Sequence, residues 1–426
     1  MIIHSASQLL TLPGGPQRGQ HLGDLGILTD GAILIRGETI AAVGPSAELC
    51  ARYPHEPGVD ASGCVVMPGF VDAHTHLVWA GDRAAEFEMR LQGKSYLEIL
   101  AAGGGILSTV NATRQASLAE LKEQTRTRAR EIFRRGTTTA EAKTGYGLQL
   151  ESELLQLQTL LDLDEEGPLE ILPTFLAAHA LPPEFKENSQ AYVDLICTHM
   201  LSQVRDWWSV HAGQRRLPFV DVFCEKGAFS LAQTRQIFIA ADQFGFPLKV
   251  HVDEFENLGG ARLAAQMGAV SADHLVKTSS EDIEFLAKSN SLAVSLPCTP
   301  FGLAEAHYTP AQALLDANGL LAIASDLNPG TAWGGDMQFV LALACRYLHL
   351  TPAQAIAAAT LNGAAALGCA ERIGSLEPGK QADLLILKVP DYRHLGYRFG
   401  ENLVKTIIKR GKAQHVNESF NEGQAF

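Results

Sequence analysis

The chain has 426 residues, 46% hydrophobic and 19% charged, an ordinary globular composition with length enough for a large core, and its formal net charge is −13. That acidic balance argues against nucleic acid or an anionic membrane as partner, no apolar run approaches the roughly twenty residues of a bilayer span, and "MIIHSASQLLTLPGG" lacks the basic-then-apolar pattern of a secretory signal. Seven scattered cysteines without a C-x-x-C suit a reduced, cytoplasmic protein.

The first stretch, "DGAILIRGETIAAVGPSAEL", alternates short β-rich runs with glycine turns and predicts a hairpin, Ala32–Arg36 with Thr39–Val43, about Gly37-Glu38. Strand-like runs then follow one another: "GCVVMPGFVDAHTH", "GTTTAEAKTGYG", "LEILPTFLAAHA", "FVDVFCEKG", "FPLKVHVDE", "GAVSADHL", "LAVSLPCTP" and "LLAIASDLNPG". Amphipathic segments such as "SLAELKEQTRTRAREIFRRG" and "LAQTRQIFIAADQFG" fill the gaps. This alternation predicts an α/β fold, a parallel sheet closed as a (β/α)8 barrel. An open doubly wound sheet is the alternative, disfavoured because no Gly-rich phosphate loop follows the first strand. The far end, "IGSLEPGKQADLLIL" and "NLVKTIIKRGKAQHV", returns to the texture of the beginning. Neither end can bury a sheet face alone. Residues 1–65 and 369–426 are therefore expected to pack together as one small β-sandwich domain beside a barrel over 66–368.

The polar residues of these runs fall at strand ends. His74 and His76 close the first strand, His179 the third, His251 the fifth, His274 the sixth and Asp326 the eighth. Alternate strand positions face one side, and C-terminal strand ends of a parallel barrel converge over one mouth. His74, His76, His251 and Asp326 thus offer three imidazoles and a carboxylate, a donor set for Zn2+ or Fe2+ with room for water. Each has an ordinary reading when taken alone. An H-x-H often binds nothing, a strand histidine such as His179 or His274 is usually a hydrogen-bonded core residue, and "SDLNPG" reads well as a cap or turn. The grouping carries the expectation: His4, His21, His55, His199, His211, His349 and His415 all fall outside strand ends.

"PGFVDAHTHL", a later strand-borne histidine, "ASDLNPG" and "GSLEPGKQADLLIL" resemble the amidohydrolase superfamily over nearly the whole chain. Within it, "AGDRAAEFEMRLQGKSYLEILAAGGGILSTV", "KTGYGL", "TFLAAHALP", "KVHVDEF", "SADHL" and "SDLNPGT" resemble the imidazolonepropionase family. The resemblance implies hydrolysis of the cyclic amide of 4-imidazolone-5-propanoate to N-formimidoyl-L-glutamate, in histidine degradation. It implies one Zn2+ or Fe2+/Fe3+ per chain, held by His74, His76, His251 and Asp326, and a homodimer. It also implies substrate contacts at Arg83, Tyr96, Tyr146, His179, Asn328, Gly330 and Thr331, with Glu254 and His274 near the reacting carbonyl. Many superfamily relatives bridge two metals with a carboxylated lysine on the fourth strand. Here that region reads "FCEKG", and the resemblance implies a single metal; Lys226 and Glu225 are the residues that could still supply a bridge, and Lys143 is expected to be structural or supporting.

These residue types suit ring opening. A bound metal lowers the pKa of its water from 15.7 towards roughly 7. Glu254, three positions after His251, is expected to take that water's proton and deliver it to the leaving ring nitrogen, although "DE" at a loop start is commonly just an N-terminal charge pair. His274 is expected to donate to the carbonyl oxygen as it gains charge. Arg83 offers a fork for the propionate; its ordinary reading is a surface pair with Glu86 or Glu88. Tyr146, between glycines, is expected at an exposed loop tip, and "NPGT" is expected to present backbone amides and a hydroxyl beside the metal. The rival readings are a nucleobase deaminase, for which a carboxylate clamp has no use, and a non-catalytic relative, which would be expected to have lost ligands.

Overall fold

A short apolar strand cannot hide both faces by itself, and here eight of them do so by forming a ring. The computed structural model describes residues 1–94, 98 and 103–415. Its parallel strands pair in strict chain order: β1 (Phe70–Asp72), β2 (Thr137–Lys143), β3 (Glu170–Ala178), β4 (Phe219–Cys224), β5 (Lys249–Val252), β6 (Ser271–His274), β7 (Leu292–Ser295) and β8 (Leu321–Ile323). The ring closes just beyond the ends of β1 and β8. Thr75 bridges Leu327 in parallel, His76 N donates to Leu327 O at 2.8 Å and Asp326 N to His74 O at 3.0 Å. Below them, Asp72 accepts from Ser325 N at 3.0 Å and Ser325 Oγ at 2.5 Å. An open sheet is thereby ruled out.

Helices cover the outside for local reasons. Leu118–Arg134 begins at a capping box, Ser117 with Glu120, buries Leu121, Ala129, Ile132 and Phe133, and stops before Gly136 at φ 101°. Leu231–Gln243 begins at a second box, Ser230 with Gln233. Among the described residues no helix is long and apolar enough to cross a membrane.

Both chain ends build the small domain. Ile2–Ala6, Gly31–Arg36, Thr39–Pro45 and Gly58–Asp60 form a four-stranded sheet. Gln8–Leu10, Ile27–Leu28, Val65–Pro68, Leu384–Leu387, Val404–Lys409 and Lys412–His415 form a six-stranded one. Ile33, Ile35, Leu9, Val66, Leu384 and Ile408 join one buried cluster drawn from both sheets. The hairpin forms as the sequence indicates. The run "GCVVMPGFVDAHTH", however, is two strands in two sheets. Val65–Pro68 pairs antiparallel with Leu384–Leu387, so the small domain runs through Pro68, past the expected boundary at 65. The chain changes sheets at Gly69, where a Cβ would stand 2.2 Å from Thr138 Oγ1. Only glycine passes there without displacing Thr138.

Charge joins the domains at the opposite end of the barrel from the strand-end histidines. Glu170, which opens β3, accepts from Lys409 Nζ at 3.0 Å and from the Arg372 guanidinium, and Lys409 also reaches Asp383 at 2.6 Å. Burial works against ionisation of Glu170, yet Lys409 and Arg372 hold its carboxyl well below the usual carboxylate range.

Candidate active site at the barrel mouth

The seam between β1 and β8 fixes three donors. The extended chain beyond β1 carries His74 and His76, and Asp326 follows β8 at φ 53°, while His251 is the third residue of β5. His76 Nε2 lies 3.3 Å from His251 Nε2 and 3.5 Å from Asp326 Oδ1, and His74 Nε2 lies 3.4 Å from that same oxygen. Ligands about 2.0–2.1 Å from a tetrahedral cation stand about 3.3–3.4 Å apart, so these spacings are the edges of such an array. All four residues are buried, and His74 Nε2 has no hydrogen-bond partner. Burial drives the pKa of His74 and His76 well down, keeping them neutral as ligation requires.

Outer partners set the tautomers. His74 Nδ1 donates to Asp273 Oδ2 at 2.6 Å and His251 Nδ1 to Asp221 Oδ1 at 3.1 Å, which leaves each Nε2 lone pair for the centre. Asp326 Oδ2 accepts from Thr299 Oγ1, turning Oδ1 inward, and burial pushes the Asp326 carboxyl up to about 6. Arg128, lying over the Trp79 ring, donates to Leu77 O and Trp79 O and pins the chain just past His76. His274 ends β6, and its ring forms a further close triple with His74 and His251. Its Nε2 is 3.7 Å from Glu254 Oε2.

Around this centre stand the other residues singled out in the sequence. His179 donates from Nδ1 to Gly145 O at 3.0 Å and stacks on His76 with ring centroids 4.7 Å apart. Burial lowers its pKa to about 3, so its Nε2 is a bare acceptor. Tyr146 is not at an exposed tip; it is 3% exposed, its ring 5.2 Å from that of His179. Glu153 turns the loop inward by accepting from Gly145, Gly147 and Leu148 N at 3.0, 2.8 and 2.8 Å. Tyr96 lies outside the described residues.

Arg83 does pair with Glu86, Nε at 2.8 Å and Nη2 at 2.5 Å, but with its side chain only 14% exposed it is no surface arginine. Its remaining nitrogen, Nη1, lies where a Cβ on Gly330 would approach to 2.4 Å. The loop amides behave otherwise than expected. Gly330 N and Thr331 N both donate to Asn328 Oδ1 at 2.8 Å, and Asn328 Nδ2 donates to Asp326 O at 2.7 Å. An asparagine can satisfy such a turn from within, so Asn328 shapes the loop behind Asp326 and takes up both amides.

Glu254 leaves β5 on a loop held by Glu225, which accepts from Lys226, Phe255 and Glu256 N at 2.9, 2.9 and 3.1 Å. Burial, with Asp326 and Glu225 adding repulsion, pushes the Glu254 carboxyl well above its ordinary value. Lys226 is 70% exposed and pairs with Glu256. Neither "FCEKG" residue joins the histidines, which removes the bridging role weighed for them. Reading the sequence alone passed over Asp221, Asp273, Thr299, Glu153 and Lys249. For Asp221, Asp273 and Lys249 the one signal was a charged residue inside a strand that must be buried on both sides, whereas Thr299 and Glu153 sit in helices and carried no such mark.

Residues 65–414 match the amidohydrolase family, and residues 31–55 match the imidazolonepropionase-like composite domain of bacteria. The chain is 48% identical over 417 residues to the imidazolonepropionase of Herpetosiphon aurantiacus, covering 98% of this chain and 97% of that one. It is 47% identical over 422 residues to the imidazolonepropionase of Chloroflexus aggregans, covering 98% and 99%. Among solved structures, a zinc-bound adenosine deaminase from Xanthomonas campestris aligns with a TM-score of 0.70 at 22% identity, over 97% of this chain and 92% of that one. The E. coli guanine deaminase aligns with a TM-score of 0.73 at 15% identity, over 97% and 98%. At such identities the likeness is one of fold.

Proposed function

This chain belongs to the imidazolonepropionase family of amidohydrolases and hydrolyses the cyclic amide of 4-imidazolone-5-propanoate to N-formimidoyl-L-glutamate in histidine degradation; from that premise we propose which residues do the work. His74, His76, His251 and Asp326 hold one divalent cation, Zn2+ or Fe2+. The observation that carries this is the donor spacing of 3.3–3.5 Å around a buried His74 Nε2 that lacks any other partner.

When bound, such a cation supplies an acidified water and polarises the ring carbonyl. The remaining work falls to side chains. Glu254 takes a proton from the attacking water and returns it to the ring nitrogen as the C–N bond opens, and its raised pKa makes it a better acceptor. His274, 3.7 Å away, steadies the carbonyl oxygen as it gains charge. Arg83 receives the propionate through the nitrogen that Glu86 does not take. Tyr146 contributes a hydroxyl held protonated by burial, and His179 a bare ring nitrogen. A neutral nucleobase would bring no carboxylate to Arg83 Nη1, the nitrogen that Glu86 does not take, which is why deamination is the weaker reading.

The test is to mix purified protein with enzymatically generated substrate and follow loss of the ring's ultraviolet absorbance. Turnover should disappear on chelation, return with Zn2+, and track one ion per chain. Ring opening that survives complete removal of metal, or two ions per active chain, would overturn the assignment.

A further inference from the structure

Beneath the four donors lies a cluster that the reaction itself does not use. Lys143 Nζ is 2.7 Å from Asp221 Oδ2, 2.6 Å from Glu141 Oε1 and 3.7 Å from Asp273 Oδ2. Lys249 Nζ donates to Ala73 O at 2.8 Å and lies 3.4 Å from Glu141 Oε1. Lys143, Lys249, Glu141 and Asp273 are 0% exposed and Asp221 is 1% exposed. Ionised groups this deep persist only when opposite charge and hydrogen bonds replace the water they give up.

Two of these carboxylates orient metal ligands: Asp221 takes the Nδ1–H of His251, and Asp273 that of His74. They come from different strands, β4 and β6, with β5 between them. Lys143 reaches both from β2, meeting Asp273 at the same Oδ2 that receives His74. A single ammonium thus spans the two supports.

We infer that Lys143 is a positioning residue for the metal centre: by holding Asp221 and Asp273 together it sets His251 and His74 as a pair. Glu141 and Lys249 complete the charge balance but touch neither ligand ring. The inference rests on the ligand set proposed above.

Zn2+ affinity of the metal-free full chain, titrated against a competing chelator, tests it. Lys143→Met should weaken Zn2+ binding about 10- to 100-fold, the usual effect of losing an outer support. Glu141→Gln, which leaves Lys143 on both aspartates, should bind Zn2+ like the parent. Parent-like affinity in folded Lys143→Met overturns the inference, as does Glu141→Gln weakening binding equally, because the cluster would then be a general packing element. Should Lys143→Met fail to fold, Asp273→Asn decides. In the metal-free protein its substitution should shift the Nδ1–H proton resonance of His251 as well as that of His74. Movement of the His74 signal alone overturns the coupling. A parent chain that takes up no Zn2+ overturns the site assignment itself.

Discussion

Glu254 and Arg83 divide the chemistry from the binding, and single substitutions separate them. Glu254→Gln keeps size and hydrogen bonding but accepts no proton, so turnover should fall by about 10²–10⁴ with metal content and KM near those of the parent. Loss of metal in that variant would make Glu254 a ligand. Arg83→Ala should weaken substrate binding by on the order of 2–4 kcal/mol, read as a rise in KM, with metal content unchanged. Glu86→Gln tests the fork from its other side. It frees the guanidinium to swing, so KM should rise while metal content stays constant. The residues proposed to hold the metal stood out in the sequence because they sit at or just past strand ends, where polar residues interrupt apolar runs. Asp221 and Asp273 did not, because a charged residue at an alternate strand position looks the same whether that side meets solvent or the inside of a closed ring. Tyr146 misled for a related reason: its flanking glycines announce a turn but not its direction, which Glu153 decides from eight residues along the chain at Gly145.

At the scale of elements, the helix starts were written locally and the demand for glycine at the strand break was not. Ser117 and Ser230 each satisfy an N-terminal amide, so Ser117→Ala should cost about 1 kcal/mol in denaturant unfolding and leave turnover intact. Gly69 is different. Pro68-Gly69 interrupts the apolar run, but only the neighbouring strand shows why the chain must change sheets there. Gly69→Ala brings a Cβ to 2.2 Å from Thr138 Oγ1 and 2.4 Å from its Cγ2. The crowding should cost about 1–3 kcal/mol, seen as a lower Tm. Adding Thr138→Ala should recover most of that loss; no recovery would mean that the close approach is not the cause.

For the whole molecule, two textures told most of the story. Alternating strands and helices specified the barrel, and similar β-rich ends specified a shared small domain, but the charged junction between them is a long-range contact with no local mark. Its pH dependence has a definite sign. Glu170 has a carboxyl pKa lowered by folding, so its contribution is fully present above the ordinary carboxylate value, roughly 4.3, and is lost as pH falls towards the depressed folded value. Thermal unfolding of the metal-free chain should therefore show a steeper acid limb than that of Glu170→Gln. The variant should already be less stable at neutral pH, since Lys409 then keeps Asp383 as its remaining counter-charge. Superimposable profiles would assign the acid sensitivity elsewhere.

The seam of the barrel has a consequence in time. Asp72 and Ser325, which lock β1 to β8, are 253 positions apart, and the backbone bond beside them joins His74 to Asp326. A ribosome releases the two histidines long before the aspartate. Until the last strand emerges, the nascent chain has neither a closed ring nor a complete donor set, so the same docking event finishes both. An ion that enters afterwards stabilises the closed form by mass action and acts as a clasp on a hoop already formed.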